Sequence, residues 1–218
     1  MGTAINWWLV MSSCDQNFCL YTIGYTAFSL DDFIKILQKK NIKAVIDVRS
    51  SPYSSRYSQY NRPIIEDTLK KNNIYYLFFG DVLGARPQNY SLYSDNSADF
   101  STISKTKDFI DGCERINSGL KKMSICLMCA EKDPMTCHRS ILISNRFRHI
   151  YPEIEIKHIL ESGIIEKQDH LDRRIMDKYD LLQENFFKSY NERRDEAYKK
   201  QEREIAYHIS FSSSSEED

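Results

Sequence analysis

The chain has 218 residues, of which 41% are hydrophobic, a length and apolar fraction that suit one sizeable core with an appendage and argue against two full domains. Lys and Arg number 30 against 31 Asp and Glu, for a formal net charge of -1, so no global basic field holds a long polyanion, although a local patch can still do so. Cysteines number 6, too few for a disulfide scaffold; they fit a reducing, intracellular compartment and give the expectation of a cytoplasmic protein.

Residues 1–18 read as an N-terminal extension, and residues 1–10 as an upstream lead before Met11. Their apolar stretch is too short and too polar-flanked to span a bilayer and lacks the basic start of a secretory signal, so no membrane partner is expected. From Cys19 the run CLYTIG is apolar and rich in β-branched and aromatic residues, which predicts a strand ending at Gly24. SLDDFIKILQKKN has helical spacing, with Ser29 as N-cap, Asp31 and Asp32 in the first turn and Lys39 and Lys40 in the last. KAVIDV is the short continuous apolar run of a strand buried on both faces in a parallel sheet. RSSPYSSRYSQYN is then a polar, aromatic loop, residues 63–72 a helix with Pro63 at its start, and NIYYLFF a third strand.

Residues 80–104 show no sustained period and read as a second long loop. Helical spacing returns over 105–120, followed by the strand MSICLMC, the loop AEKDPMTCHR, the helix SILISNRFRHI and a strand around EIEIKHIL. Strands alternating with helices predict a three-layer α/β fold, a mainly parallel sheet with helices on both faces. The α/β domain is expected over residues 19–163, a charge-dense helical extension over 164–208 and an acidic, Ser-rich disordered tail over 209–218. The extension is read as one or two helices packing back on the domain; the alternative is a segment that binds a protein partner or a second copy of the chain.

In open parallel sheets the ligand crevice lies beyond the carboxyl ends of the strands. Collecting the residues just past each strand brings forward Asp47, Arg49 and Arg56 with Tyr60 and Asn61, then Gly84 and Arg86, then Cys129, Glu131, Cys137, His138 and Arg139. Cys137, His138 and Arg139 open a helix, where free N–H groups and the macrodipole favour anions and thiolate over thiol. Arginine adds bidentate recognition of carboxylate or phosphate. Cys126, inside the strand, reads as a small core hydrophobe. Cys129, Cys137 and His138 could alternatively ligate zinc, with Glu131 or water completing the set, although the spacing is unlike that of paired zinc knuckles. Arg49, Arg56, Tyr57, Tyr60 and Asn61 form a wall suited to a polar ligand with a stackable ring, with loop packing as the plainer account of the tyrosines.

TIGYTAFSLDDFIKIL, AVIDVRSSPYSSRY followed by YN, DVLGARP and CAEKDPMTCHRS together resemble the domain of unknown function 488 family, from about Tyr21 to Ile159. The resemblance implies a compact α/β domain and carries shared polar positions onto Asp47, Arg49, Arg56, Gly84, Arg86, Cys129, Glu131, Cys137, His138 and Arg139. Tyr25 stands where the family usually has histidine, and the glycine run before Arg-Pro is reduced to Gly84-Ala85-Arg86. A more distant likeness links the Asp-x-Arg and the late-strand cysteine to rhodanese and cysteine phosphatase domains. The loop here is longer, contains Pro134 and lacks glycine, so neither activity is transferred.

These readings give the expectation of an enzyme acting on an anionic small molecule or nucleotide, with Cys129 or Cys137 as nucleophile or redox partner, Glu131 or His138 moving a proton, and the arginines binding the anion. No cofactor is expected beyond the zinc alternative. The competing expectations are a non-catalytic nucleotide or nucleic-acid binding module and a zinc-stabilised interaction domain.

Overall fold

The computed structural model of the chain describes residues 19–184 and 186–209. The expected extension over 1–18, with Cys14, and all but the first residue of the acidic tail lie outside the described residues.

The elements run β1 (Cys19–Gly24), α1 (Leu30–Lys39), β2 (Ala44–Asp47), α2 (Arg62–Lys71), β3 (Tyr75–Phe78), the helical turn α3 (Gly80–Leu83), β4 (Tyr93–Ser94), β5 (Ser97–Ala98), α4 (Phe100–Ile103), α5 (Lys107–Leu120) and β6 (Ile125–Cys129). They continue through a π-helical segment (Arg139–Ser144) that passes into α6 (Asn145–Ile150), then β7 (Glu155–Ile159), β8 (Ile165–Lys167), α7 (Gln168–Lys178) and α8 (Tyr190–Ile205). Six strands form one sheet in the order β3-β2-β6-β1-β7-β8, parallel throughout except for the antiparallel β7–β8 pair. The four residues of β2 and the five of β6 are all buried, as their unbroken apolar runs require of central strands.

Each face of the sheet carries its own core. On one face α1 and α2 place Phe33, Ile34, Leu37, Ile65 and Leu69 against Val45, Cys126 and Met128. On the other, α5, the π segment with α6, and the C-terminal helices pack Phe109, Ile116, Leu142, Phe147, Leu171, Ile175 and Tyr198 against Ala44, Ile46, Leu127 and Ile156. This is the three-layer α/β architecture that the alternating elements predict. Helix starts follow side-chain capping: Ser29 accepts from the Asp32 N–H, Thr106 from Phe109, and Ser189 forms a reciprocal capping box with Glu192.

Two stretches differ from the sequence reading. The supposed long loop over 80–104 contains the turns α3 and α4 and the small β4–β5 hairpin, elements of two to four residues that are too short to show a period. The charge-dense region after residue 163 opens on a strand, β8, which pairs with β7 and extends the sheet before α7 begins. The helices that follow pack back on the domain. Leu171, Ile175, Met176, Ala197 and Tyr198 lie in its core, and Arg174 of α7 bridges Glu166 and Asp133, the latter at 2.6 Å. No helix among the described residues is long and apolar enough to cross a membrane.

Candidate functional site

The central strands β2, β6 and β1 end side by side, with Gly24 level with Cys129 and Asp47 level with Met128. Two hydrogen bonds stitch these ends together. Val48 N–H donates to the Met128 carbonyl at 3.1 Å, and Thr26 N–H donates to the Ala130 carbonyl at 3.2 Å. The loop after β6 then turns at Asp133, whose side chain caps the Met135 N–H, and returns the chain to the same edge at Cys137.

Four predicted residues meet there. Glu131 is exposed as a residue, yet its Oε2 lies 2.9 Å from Cys137 Sγ and 3.3 Å from Cys129 Sγ. His138 Nδ1 lies 3.7 Å from Cys129 Sγ, while its Nε2 is 3.0 Å from the Val48 carbonyl. A carbonyl only accepts, so Nε2 carries a hydrogen, and Nδ1 is the nitrogen that faces the sulfurs. Cys129 and Cys137 are 3% and 1% exposed.

The two thiols are driven apart electrostatically. Cys129 is held well above the usual thiol range by its hydrogen bond to Cys137 and by burial. Burial opposes ionisation of Cys137 too, but the Cys129 hydrogen bond, the Arg139 charge and His138 outweigh it and bring that thiol well below its usual range. Burial and the anionic sulfur beside it push the Glu131 carboxyl up. For His138, burial disfavours the charged ring, but contact with Cys137 prevails and raises it. At 2.9 Å, an anionic Cys137 sulfur disfavours a second negative charge on the Glu131 carboxyl.

Asp47 and Arg49 form the adjoining wall. Arg49 Nε and Nη2 fork onto the two Asp47 oxygens at 2.8 and 2.6 Å, and Nη2 also donates to the Tyr60 carbonyl at 2.9 Å. Its Cζ sits 4.9 Å from the centre of the Tyr25 ring. Arg49 is only 5% exposed, and its Nη1 is buried without a hydrogen-bond partner. Burial pushes the Tyr25 hydroxyl up, the adjacent Arg49 side chain opposes this, and Cys129 and Glu131 add to it, so Tyr25 connects the two walls.

The remaining predicted residues are placed differently. Arg139 is fully buried: Nη1 donates to the Glu131 carbonyl at 2.6 Å, Nη2 to the Lys132 carbonyl at 3.2 Å and Nε to Thr22 Oγ1 at 3.3 Å. Its guanidinium therefore shapes the loop that carries Glu131, and reaches Cys137 only through its charge. Tyr60 is also fully buried, stacked on Tyr25 at 4.4 Å, with its hydroxyl on the Phe28 and Ser29 carbonyls. Asn61 accepts from the Ser54 N–H at 2.6 Å and so braces the loop after β2. Arg56 is exposed over the Tyr57 ring, and Arg86 is exposed over the Tyr207 ring. Gly84 permits close packing, since a Cβ there would lie 2.4 Å from Ser50 Oγ.

Sequence reasoning did not single out Thr22, Tyr76 or His158. Tyr76 donates to Asp47 Oδ2 at 2.7 Å. Thr22 and His158 begin a buried chain of hydrogen bonds leading from Arg139 to the C-terminal helices. Thr22 Oγ1 and His158 Nδ1 are 2.8 Å apart, and His158 Nε2 lies 3.1 Å from Gln168 Oε1. Gln168 Nε2 donates to Asp172 Oδ1 and to the Tyr198 hydroxyl, at 3.1 and 2.8 Å. All three residues stand on strands, where their polar atoms look like ordinary sheet positions in the sequence.

Fold and site together define a three-layer α/β protein with paired thiols, a carboxyl and an imidazole at the carboxyl edge of a parallel sheet. The chain belongs to the family described as Domain of unknown function DUF488, whose model matches residues 29–145, more than half of its length. No curated protein and no solved structure matches the chain.

Proposed function

We propose that the protein is an enzyme acting on an anionic or nucleotide-like ligand through Cys137, with Cys129 and Glu131 as its immediate partners. The observation that carries this reading is the single carboxyl oxygen of Glu131 in contact with both sulfurs. This arrangement gives a nucleophilic sulfur a group that can take up or return a proton within bonding distance. His138, fixed by the Val48 carbonyl, orients a second proton acceptor toward the same sulfurs. Cys137 precedes the helical segment starting at Arg139, and the Arg139 charge beside it favours the thiolate.

Arg49 is the ligand-side group of choice. Its fork is fixed by Asp47, and Nη1 is the one donor of that guanidinium without a partner. A buried donor that lacks a partner is costly, and an anionic oxygen would satisfy it.

The test is a screen of nucleotides and phosphorylated small molecules for turnover by the full chain, repeated with Cys137→Ala and Cys129→Ala. Loss of turnover in Cys137→Ala, with ligand binding retained, is the expected result. Turnover unchanged in both variants would remove the cysteine chemistry. Salt-sensitive binding without any turnover would favour a non-catalytic binding module instead.

A further inference from the structure

The sulfurs of Cys129 and Cys137 and a ring nitrogen of His138 all lie within 4.8 Å of one another. A tetrahedral zinc ion, with bonds of about 2.3 Å to sulfur and about 2.0 Å to nitrogen, holds such ligands roughly 3.5 Å apart. Cys129 Sγ and His138 Nδ1 are already 3.7 Å apart, so gathering the third atom takes a shift of about an ångström. The ligands stand on well-fixed backbone: Cys129 ends a central strand, and Cys137 and His138 enter a helical segment.

A second, independent observation points the same way. The His138 Nε2 hydrogen bond to the Val48 carbonyl is the outer-sphere contact that metal-bound imidazoles make, fixing the tautomer and turning the other nitrogen toward the ion. Glu131 Oε2, in contact with both sulfurs, stands where a fourth ligand or a metal-bound water would be held. Cys113 and Cys126 are buried in the two cores, and neither joins a metal-ligating cluster among the described residues.

We infer that Cys129, Cys137 and His138 form a binding site for a soft divalent cation of the zinc class, completed by Glu131 or water, and that metal occupancy masks the reactive sulfur. The site supplies two thiolates and an imidazole, the donor set that selects zinc over magnesium or calcium. Binding displaces the thiol protons to solvent, so affinity rises with pH. The masking half rests on the proposed role of Cys137, because coordination draws the thiolate charge onto the cation and lowers the nucleophilicity of the sulfur.

The test uses the full chain purified without added metal or chelator. Elemental analysis should find about one equivalent of zinc per chain, as expected for a preformed thiolate site, and Co(II) exchanged into the site should give tetrahedral d–d bands with a thiolate charge-transfer band. Cys129→Ser and Cys137→Ser should each weaken the thiolate charge-transfer band, since one sulfur remains, and lower metal affinity by about tenfold or more, while Cys19→Ser keeps both. Circular dichroism melts confirm that each variant is folded. A folded wild-type protein that takes up neither zinc nor cobalt, or one whose metal survives both serine variants, overturns the site.

Alkylation of Cys137, followed by peptide mass mapping with and without Zn(II), separates the two ideas. Strong protection by zinc supports masking, and equal labelling overturns it. If no metal binds but Cys137→Ala abolishes turnover, the enzymatic reading stands alone. If metal binds and no turnover is found in the metal-free protein, the metal site stands alone.

Discussion

Asp47 and Arg49, two residues apart at the end of β2, form a buried forked ion pair whose contacts measure 2.8 and 2.6 Å, and the Tyr76 hydroxyl adds a third contact to the same carboxylate. Burial disfavours the Arg49 charge, but Asp47 overcomes it and raises the guanidinium. Removing one partner strands the other. Asp47→Ala should destabilise the protein by about 3–5 kcal/mol in urea unfolding. The double variant Asp47→Ala, Arg49→Leu should recover part of that loss, whereas a simple sum of the two single effects would show that the pair is not coupled.

Gly24 closes β1 against the loop after β6. A Cβ at this position would lie 1.8 Å from the Glu131 carbonyl oxygen, a backbone atom held in turn by Arg139. Gly24→Ala must displace that loop, and a loss of roughly 3 kcal/mol is expected. The displaced loop carries Glu131, so under the role proposed for that residue any turnover should fall in the folded fraction as well. A variant with wild-type melting temperature would show that the loop yields without strain.

His158 gives the protein an acid sensitivity of its own. Burial, followed by the Arg139 charge, lowers it to about 3, against about 6.5 in the unfolded chain. Between those values the unfolded state binds the additional proton. Stability is therefore complete above about pH 6.5 and falls by about 1.4 kcal/mol per unit as pH drops toward 3. Urea unfolding across that range should show this slope beyond the contribution of the carboxylates. The slope should be shallower by that amount in His158→Asn.

The Tyr198 hydroxyl donates to Asp172 Oδ1 at 2.7 Å and accepts from Gln168, while Arg148 pairs with the other Asp172 oxygen. Tyr198→Phe leaves a Gln168 N–H and a carboxylate oxygen each short of one bond inside the core, and should cost about 1–3 kcal/mol. Thermal melts of the full chain decide this. No change would place water in the gap.

Much of the architecture was legible because central strands buried on both faces have unmistakable apolar runs, as AVID and ICLMC do, and α1 and α5 carry clear periods, the first with Ser29 as a readable cap. β8 was not legible. Its three residues, Ile165, Glu166 and Lys167, hold their place through pairing with β7, a tertiary fact with no local signature. The same distinction divides the site. Cys129, Glu131, Cys137 and His138 follow from lying just past one strand, because the parallel sheet sends the whole loop to one edge. Arg139 has the same sequence address, but its side chain turns inward to loop carbonyls that would otherwise be unpaired. Tyr60 likewise goes inside because its hydroxyl finds the carbonyls of Phe28 and Ser29. Residue type and spacing cannot tell a donor aimed at a ligand from one aimed at the backbone.

The buried chain from Arg139 through Thr22, His158 and Gln168 to Asp172 has a direction. Asp172 can only accept, so Gln168 must turn its amide toward it and its carbonyl toward His158. That fixes the hydrogen on His158 Nε2 and makes Nδ1 the acceptor for Thr22, whose oxygen remains available to Arg139. One arrangement of hydrogens satisfies every member. The consequence is for inheritance: a change at position 168 or 172 alters what positions 22 and 139 can be, although β7 lies between β1 and the C-terminal helices. In related sequences these positions should therefore change together or not at all.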